Sequence, residues 1–172
     1  FYSRDQGSQV MPLPWLKALR QPDGTPFLAD SLARYGYLPN PKAPAEGLPV
    51  GFTVAGTGAR QMVGMTCSAC HTRQIEVKGT AYRIDGGPAT VDFQAFLADL
   101  DRSVGPLTSD DAAFDAFAKQ ILGANPPPGA RDALLAAVKE WYEPYHTLIE
   151  RALPKDTWGP ARLDAVAMIF NR

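Results

Sequence analysis

The stretch Cys67-Ser68-Ala69-Cys70-His71 contains both cysteines of the 172-residue chain and one of its two histidines. A CxxCH spacing is typical of covalent haem attachment. The two thiols lie three residues apart on one side of a helical turn, and the histidine that follows can supply an axial ligand to the iron. The motif therefore predicts one haem c, bound covalently at Cys67 and Cys70, with His71 as the proximal iron ligand.

Three other interpretations of the same residues are less favoured. A tetrahedral zinc site could use Cys67, Cys70, His71 and the distant His146, although structural zinc sites usually present two separated ligand pairs. A thioredoxin-like redox pair requires a βαβ unit, whereas residues 60–66 are expected to form a short helical segment before the motif. A disulfide between Cys67 and Cys70 would close a very small loop.

Composition limits the classes of partner and the location. The 17 basic and 18 acidic residues nearly cancel and form no basic run, so neither nucleic acid nor an anionic membrane surface is an expected partner. No apolar stretch approaches the roughly 18 to 20 residues that span a bilayer. The first residues, Phe-Tyr-Ser-Arg, suggest a processed chain, and thioether haem is assembled outside the bacterial cytoplasm, so a periplasmic or secreted protein is expected.

The pattern of prolines and apolar residues predicts a mainly α, loop-rich, cytochrome c-like haem domain with a small β-hairpin and an extended N-terminal arm. Residues 1–50 are assigned to the arm and a proline-rich strap, and residues 51–172 to the haem domain. Residues 74–77 and 80–84 alternate around Lys78-Gly79, which predicts the hairpin. Three amphipathic helices are expected after it. A helical pattern from residue 159 stops at Arg172 without a cap, which indicates a portion of a longer polypeptide.

The sixth iron ligand is open. His146 is a weak distal candidate, since a histidine on a helix face is more often satisfied by a neighbour, and Met11 and Met168 are weaker still. Met62 and Met65 are expected to pack in the core. Four cations near the motif could pair with haem propionates, and Arg83 is included among the predicted cofactor-binding residues; the others are Arg60, Arg73 and Lys78.

Four segments resemble the di-haem c-type cytochromes of the cytochrome c peroxidase-like group, and more closely their rubber oxygenase branch. The segments are DQGSQVMPLPW (5–15), GLPVGF (47–52), GMTCSACHTRQIEVKGTAYRIDGGPA (64–89) and WGPARLDAVAMIFNR (158–172). The resemblance implies two haems, one that handles peroxide or dioxygen and one that passes electrons. Cys67, Cys70 and His71 match the attachment site of the first haem. Only one CxxCH is present, so the chain corresponds to an N-terminal part of such a protein or to a single-haem relative.

Two functions follow from these observations. In the first, one haem transfers electrons to a redox partner protein or to a second haem domain, alone or within a larger peroxidase or oxygenase. In the second, the distal iron position is open, and the protein is a haem-dependent peroxidase or dioxygenase. No catalytic residue can be named from the sequence.

Overall fold

The N-terminal half is built around a small antiparallel sheet. A computed structural model describes residue 2 and residues 4–162. Strands β1 (Met11–Pro12) and β2 (Phe52–Ala55) pair on either side of β3 (Met62–Met65), so the strand order is β1-β3-β2. Val63 in the central strand pairs with Met11 on one side and with Val54 on the other. Helix α1 (Leu13–Ala18) follows β1 directly, and Pro14 is tolerated because it lies in the first turn.

The CxxCH motif lies between this sheet and a second one. Helix α2 (Cys67–Cys70) is a single turn, and a hairpin of β4 (Thr72–Val77) and β5 (Thr80–Asp85) begins immediately after His71. Lys78 and Gly79 both have positive φ values, of 51° and 77°, as a two-residue type I′ turn requires. The predicted hairpin is therefore present, and each strand is slightly longer than predicted.

Three helices complete the described part of the chain: α3 (Phe93–Ser109), α4 (Asp111–Leu122) and α5 (Ala130–Ala152). Asp110 is the N-cap of α4, and its carboxylate accepts from the backbone N–H groups of Ala112 and Ala113. The apolar faces of all three helices pack on a core that also contains Phe27 and Phe52 from the N-terminal segment.

The expected fold class is wrong. The described residues are 42% helical and 15% strand, and the strands form two antiparallel sheets, so the fold is a mixed α and β structure and not a mainly α, cytochrome c-like domain. The reason is local. Residues 60–66, expected to be helical, follow a short 3₁₀ turn at Gly58–Arg60 and contain strand β3.

Two further expectations concern the chain as a whole. Among residues 2 and 4–162, no helix has the length and apolar character that crossing a bilayer requires. The terminal helical pattern beyond Arg162, which includes Met168, lies outside the described residues.

Candidate haem-attachment site

The side chains of the motif divide between two faces of the single turn α2. Ser68 and Ala69 are buried against the body, whereas Cys67 is exposed and Cys70 and His71 are half-buried. Cys70 is three residues from Cys67, so the two thiols lie on the same face of the turn. His71 follows them directly as the C-cap residue of α2.

A close backbone contact fixes the buried side of α2. Gly51 has a φ of +83° and lies directly against α2. A Cβ atom at this position would be 2.1 Å from the amide nitrogen of Ala69. The Gly51 carbonyl accepts a hydrogen bond of 2.8 Å from the amide of Thr66. The Thr66 hydroxyl in turn caps the turn by accepting from the amide of Ser68. Only glycine combines this φ with so close an approach.

The two thiols are free and differ in their surroundings. Cys67 is exposed, and its amide and Sγ both approach Oε1 of Gln6, at 3.3 and 3.4 Å. Burial raises the pKa of the Cys70 thiol above its ordinary value, and the neighbouring Cys67 adds to the shift. Gln6 was not named from the sequence, because 61 residues separate it from Cys67 and no local pattern predicts their contact.

The segment that carries Gln6 is held against the central strand. The Ser8 hydroxyl donates to the carbonyl of Met65 and accepts from its amide, at 2.7 and 2.6 Å. Gly64 permits this approach, since a Cβ there would lie 2.3 Å from the Ser8 carbonyl oxygen. These contacts place the start of the chain beside the motif.

His71 joins the turn to the hairpin. Its amide donates to the Cys67 carbonyl and its carbonyl accepts from Gly86, each at 2.8 Å. Within the described part of the chain, its imidazole makes no hydrogen bond or ion pair. These two hydrogen bonds fix the backbone of His71, and the ring nitrogens have no hydrogen-bond partner among the described residues.

A buried aromatic group lies close to Cys70. The Tyr37 side chain packs edge-on against Phe52 and Phe96, with ring centroids 5.0 and 5.8 Å away. Burial raises its pKa, and the nearby Cys70 thiol contributes to the shift. The Tyr37 hydroxyl has no hydrogen-bond partner among the described residues.

His146, the predicted distal candidate, lies on α5 in a contact with α3. Its Nδ1 is 3.0 and 3.1 Å from the two carboxylate oxygens of Asp101 and 3.2 Å from the Tyr142 hydroxyl. Asp101 is buried, so this contact supplies the partner that its carboxylate needs. Ligation of iron by His146 stays a prediction, and this contact is the satisfied arrangement that the sequence favoured.

The other predicted residues lie at different points around the motif. Arg83, on β5, donates to the carbonyl of Pro39 at 3.1 Å and lines a cavity of about 650 Å³ beneath the proline-rich strap. Met11 is fully buried in β1, and Met62 and Met65 are half-buried on β3. Whether Arg83 or Met11 contacts a haem stays a prediction.

The geometry also bears on the competing interpretations. Among the described residues, no three His, Cys, Asp or Glu side chains are gathered as ligands of a single metal ion. Haem attachment does not require such convergence, because the sulfurs bond to the porphyrin edge and only the imidazole bonds to iron. The CxxC does follow a strand, contrary to expectation, but β3 pairs antiparallel with its neighbours and α2 leads into a separate hairpin.

Comparison with known proteins gives one relative of unknown activity. The chain is 34% identical to "Uncharacterized protein y4iJ" of Sinorhizobium fredii (strain NBRC 101917 / NGR234). The similarity extends over 98% of this chain. It covers 32% of the relative, so the chain spans about a third of that protein's length. No family model matches the chain, and no solved structure matches it.

Proposed function

We propose that this protein carries one covalently attached haem c and serves in electron transfer, either alone or as the haem-bearing portion of a larger peroxidase or oxygenase. The observation that carries the proposal is the single turn α2, which presents Cys67 and Cys70 on one face, buries Ser68 and Ala69 on the other and is followed directly by His71. Free thiols and an imidazole with no partner among the described residues fit the needs of such attachment.

The two cysteines carry out the attachment. Each thiol adds across one vinyl group of the porphyrin, so that a bond forms between sulfur and one vinyl carbon while the thiol hydrogen passes to the other carbon. The C=C double bond becomes single, and the addition needs no external oxidant or reductant. Cys67, which is exposed, and Cys70, which is half-buried, would each hold one vinyl position of the porphyrin.

His71 supplies the proximal ligand through a ring nitrogen. The bound haem supplies one-electron chemistry, and the protein tunes it through the ligand, the burial and the hydrogen bonds around the ring. The backbone of His71 is fixed from both sides, by Cys67 and by Gly86, so this residue would hold the iron from a fixed backbone position.

A second function is a haem-dependent peroxidase or dioxygenase with an open distal position. Nδ1 of His146 contacts Asp101 and Tyr142, which gives this ring a structural role on α5 that does not depend on iron. An iron with His71 alone would accept a small molecule on its other side. The resemblance to the cytochrome c peroxidase-like group and its rubber oxygenase branch, together with a relative about three times longer, supports a role within a larger protein.

The location follows from the chemistry of attachment. Since thioether haem is assembled outside the bacterial cytoplasm, we infer a periplasmic or secreted protein. Its partner would be a redox protein or a second haem domain.

A spectroscopic experiment tests both functions. The chain is exported in a host with haem-attachment machinery, and the pyridine haemochrome spectrum of the purified protein is recorded for the wild type and for Cys67→Ser, Cys70→Ser and the double variant. We expect a two-thioether spectrum, a shifted spectrum for each single variant and no covalent haem in the double variant. A wild type without covalent haem contradicts the proposal.

Carbon monoxide then separates the two functions. A low-spin ferrous haem that does not bind carbon monoxide supports electron transfer, and a haem that binds it supports the open distal site.

A further inference from the structure

The hairpin of β4 and β5 has an unusual distribution of polarity. Cross-strand partners lie on the same face of an antiparallel pair, and successive residues alternate between faces. The register places Ile75 opposite Tyr82, Arg73 opposite Ile84 and Val77 opposite Thr80 on one face. The other face carries Gln74, Glu76, Ala81, Arg83, Thr72 and Asp85. One face is therefore largely apolar and the other largely polar.

Residues 73–86 are exposed on both faces of the hairpin, and two side-chain hydrogen bonds join its polar face to the rest of the protein. Asp85 accepts a hydrogen bond from the hydroxyl of Tyr2, and Arg83 donates to the carbonyl of Pro39. The apolar face is open: the exposed fractions are 37% for Ile75, 48% for Val77, 51% for Tyr82 and 42% for Ile84. A surface hairpin in water normally has the opposite arrangement.

The exposed apolar side chains of the hairpin favour a binding partner that buries them. A two-stranded hairpin alone is marginally stable, and its stability depends on packing of one face. Exposed apolar residues that lie together mark a binding surface. The four side chains form such a group, since Ile75 and Tyr82 are direct cross-strand partners and Val77 and Ile84 flank them on the same face.

The position of His71 indicates which group binds to this apolar face. The backbone ladder of the hairpin continues one residue past the strands, from the carbonyl of His71 to the amide of Gly86. Gly86 and Gly87 carry no side chains at this root, and a Cβ at Gly86 would meet nothing within 4 Å. Any group bound by Cys70 and His71 therefore begins where the apolar face begins.

We propose that the face formed by Ile75, Val77, Tyr82 and Ile84 is a wall of the haem pocket, against which the porphyrin packs. The inference rests on the proposed attachment of haem at Cys67 and Cys70. Strands of six residues extend roughly 20 Å, long enough to lie along a porphyrin. Arg73 lies on the same face opposite Ile84, where its guanidinium can pair with a propionate.

Protection of Tyr82 tests the wall directly. The haem-loaded wild type and the haem-free Cys67→Ser/Cys70→Ser variant are nitrated with tetranitromethane, and the modification of each tyrosine is measured by peptide mass spectrometry. We expect nitration of Tyr82 to be several-fold lower in the haem-loaded protein, with Tyr142 as an internal reference that does not change. Equal nitration of Tyr82 in both forms overturns the inference.

A matched pair of variants provides a second measurement. Ile75→Asn places a polar group on the proposed wall, and Gln74→Asn alters its chain neighbour on the opposite face. We expect Ile75→Asn to lower the reduction potential, because a more polar surrounding favours the ferric state, and Gln74→Asn to leave the potential unchanged. Equal potentials in the two variants contradict the wall.

The outcomes distinguish this inference from the function on which it rests. A wild type without covalent haem removes the proposed function itself. If Tyr82 of the haem-loaded protein is as reactive as in the haem-free variant, only the inference of a haem-pocket wall is rejected. Protection that rises with protein concentration and is the same with and without haem indicates that a second copy covers the face, and also overturns the inference.

Discussion

At the scale of single residues, the chemistry of the motif depends on what surrounds each group. Cys67 and Cys70 share one face of α2, yet one is exposed and the other lies half-buried near the Tyr37 hydroxyl, which has no hydrogen-bond partner among the described residues. Motif spacing could place Cys67, Cys70 and His71 together on one turn. It could not predict Gln6 or Tyr37, because their contacts with this turn depend on the tertiary fold.

The haem-free protein should show unequal thiols. The thiolate is the reactive form, and burial raises the pKa of Cys70, so its thiolate fraction is lower than that of an ordinary thiol until the pH exceeds the raised value. We expect iodoacetamide to modify Cys67 several-fold faster than Cys70 at pH 8, and the difference to narrow at higher pH. Peptide mass spectrometry measures both rates. Faster modification of Cys70 would contradict this environment.

Two tyrosines offer opposite results from the same substitution. Tyr37→Phe removes a buried hydroxyl that has no partner among the described residues. We therefore expect the free energy of unfolding to stay the same or to rise by about 1 kcal/mol. Tyr35→Phe removes a hydroxyl that donates to Asp99 at 2.8 Å, so we expect a loss of about 1 kcal/mol. Urea denaturation measures both. A larger loss for Tyr37→Phe than for Tyr35→Phe would show that the Tyr37 hydroxyl has a partner.

At the scale of secondary-structure elements, the elements with long periodic patterns of apolar residues could be predicted from the sequence, and the short ones could not. The hairpin and the three long helices have sustained periods of two and 3.6 residues, and they occur where those periods predict them. Strands β1, β2 and β3 have two to four residues each, too few for a period to be recognised, and β1 pairs with a strand some 50 residues away. The mixed fold class was missed for that reason.

Placement of α2 depends on the glycine beneath it. Gly51→Ala forces a Cβ to within 2.1 Å of the Ala69 amide nitrogen at a positive φ. We therefore expect the free energy of unfolding to fall by about 3 kcal/mol or more, and less haem to be attached. Gly24 has a similar φ, of +86°, but open space around it, so Gly24→Ala should cost only about 1 kcal/mol. Denaturation and haem content are measured for both. Equal losses would mean that the contact with Ala69 is unimportant.

At the scale of the whole molecule, residues that lie far apart in the chain meet in one core, and the turn α2 lies at its edge. The Trp141 indole donates to the Val10 carbonyl at 2.9 Å, which joins α5 to the segment before β1. Helices α3 and α5 are also joined by the contact of His146 with buried Asp101.

The His146 contact predicts a structural effect without a spectral one. His146→Leu leaves the buried Asp101 carboxylate without this partner, so we expect a loss of about 2 kcal/mol. Leu148→Ala, at an exposed position on the same helix, is the control and should change stability little. The haem spectrum should be the same in both variants. A change from low-spin to high-spin haem only in His146→Leu would identify His146 as the distal ligand.

The central claim is that the paired thiols of α2 bind one haem covalently. Intact mass spectrometry of the chain, after export in a host with haem-attachment machinery and under denaturing conditions, tests it most directly. We predict the mass of the polypeptide plus one haem, and the mass of the bare polypeptide for the Cys67→Ser/Cys70→Ser variant. A wild type with the bare mass and two alkylatable thiols would contradict the claim.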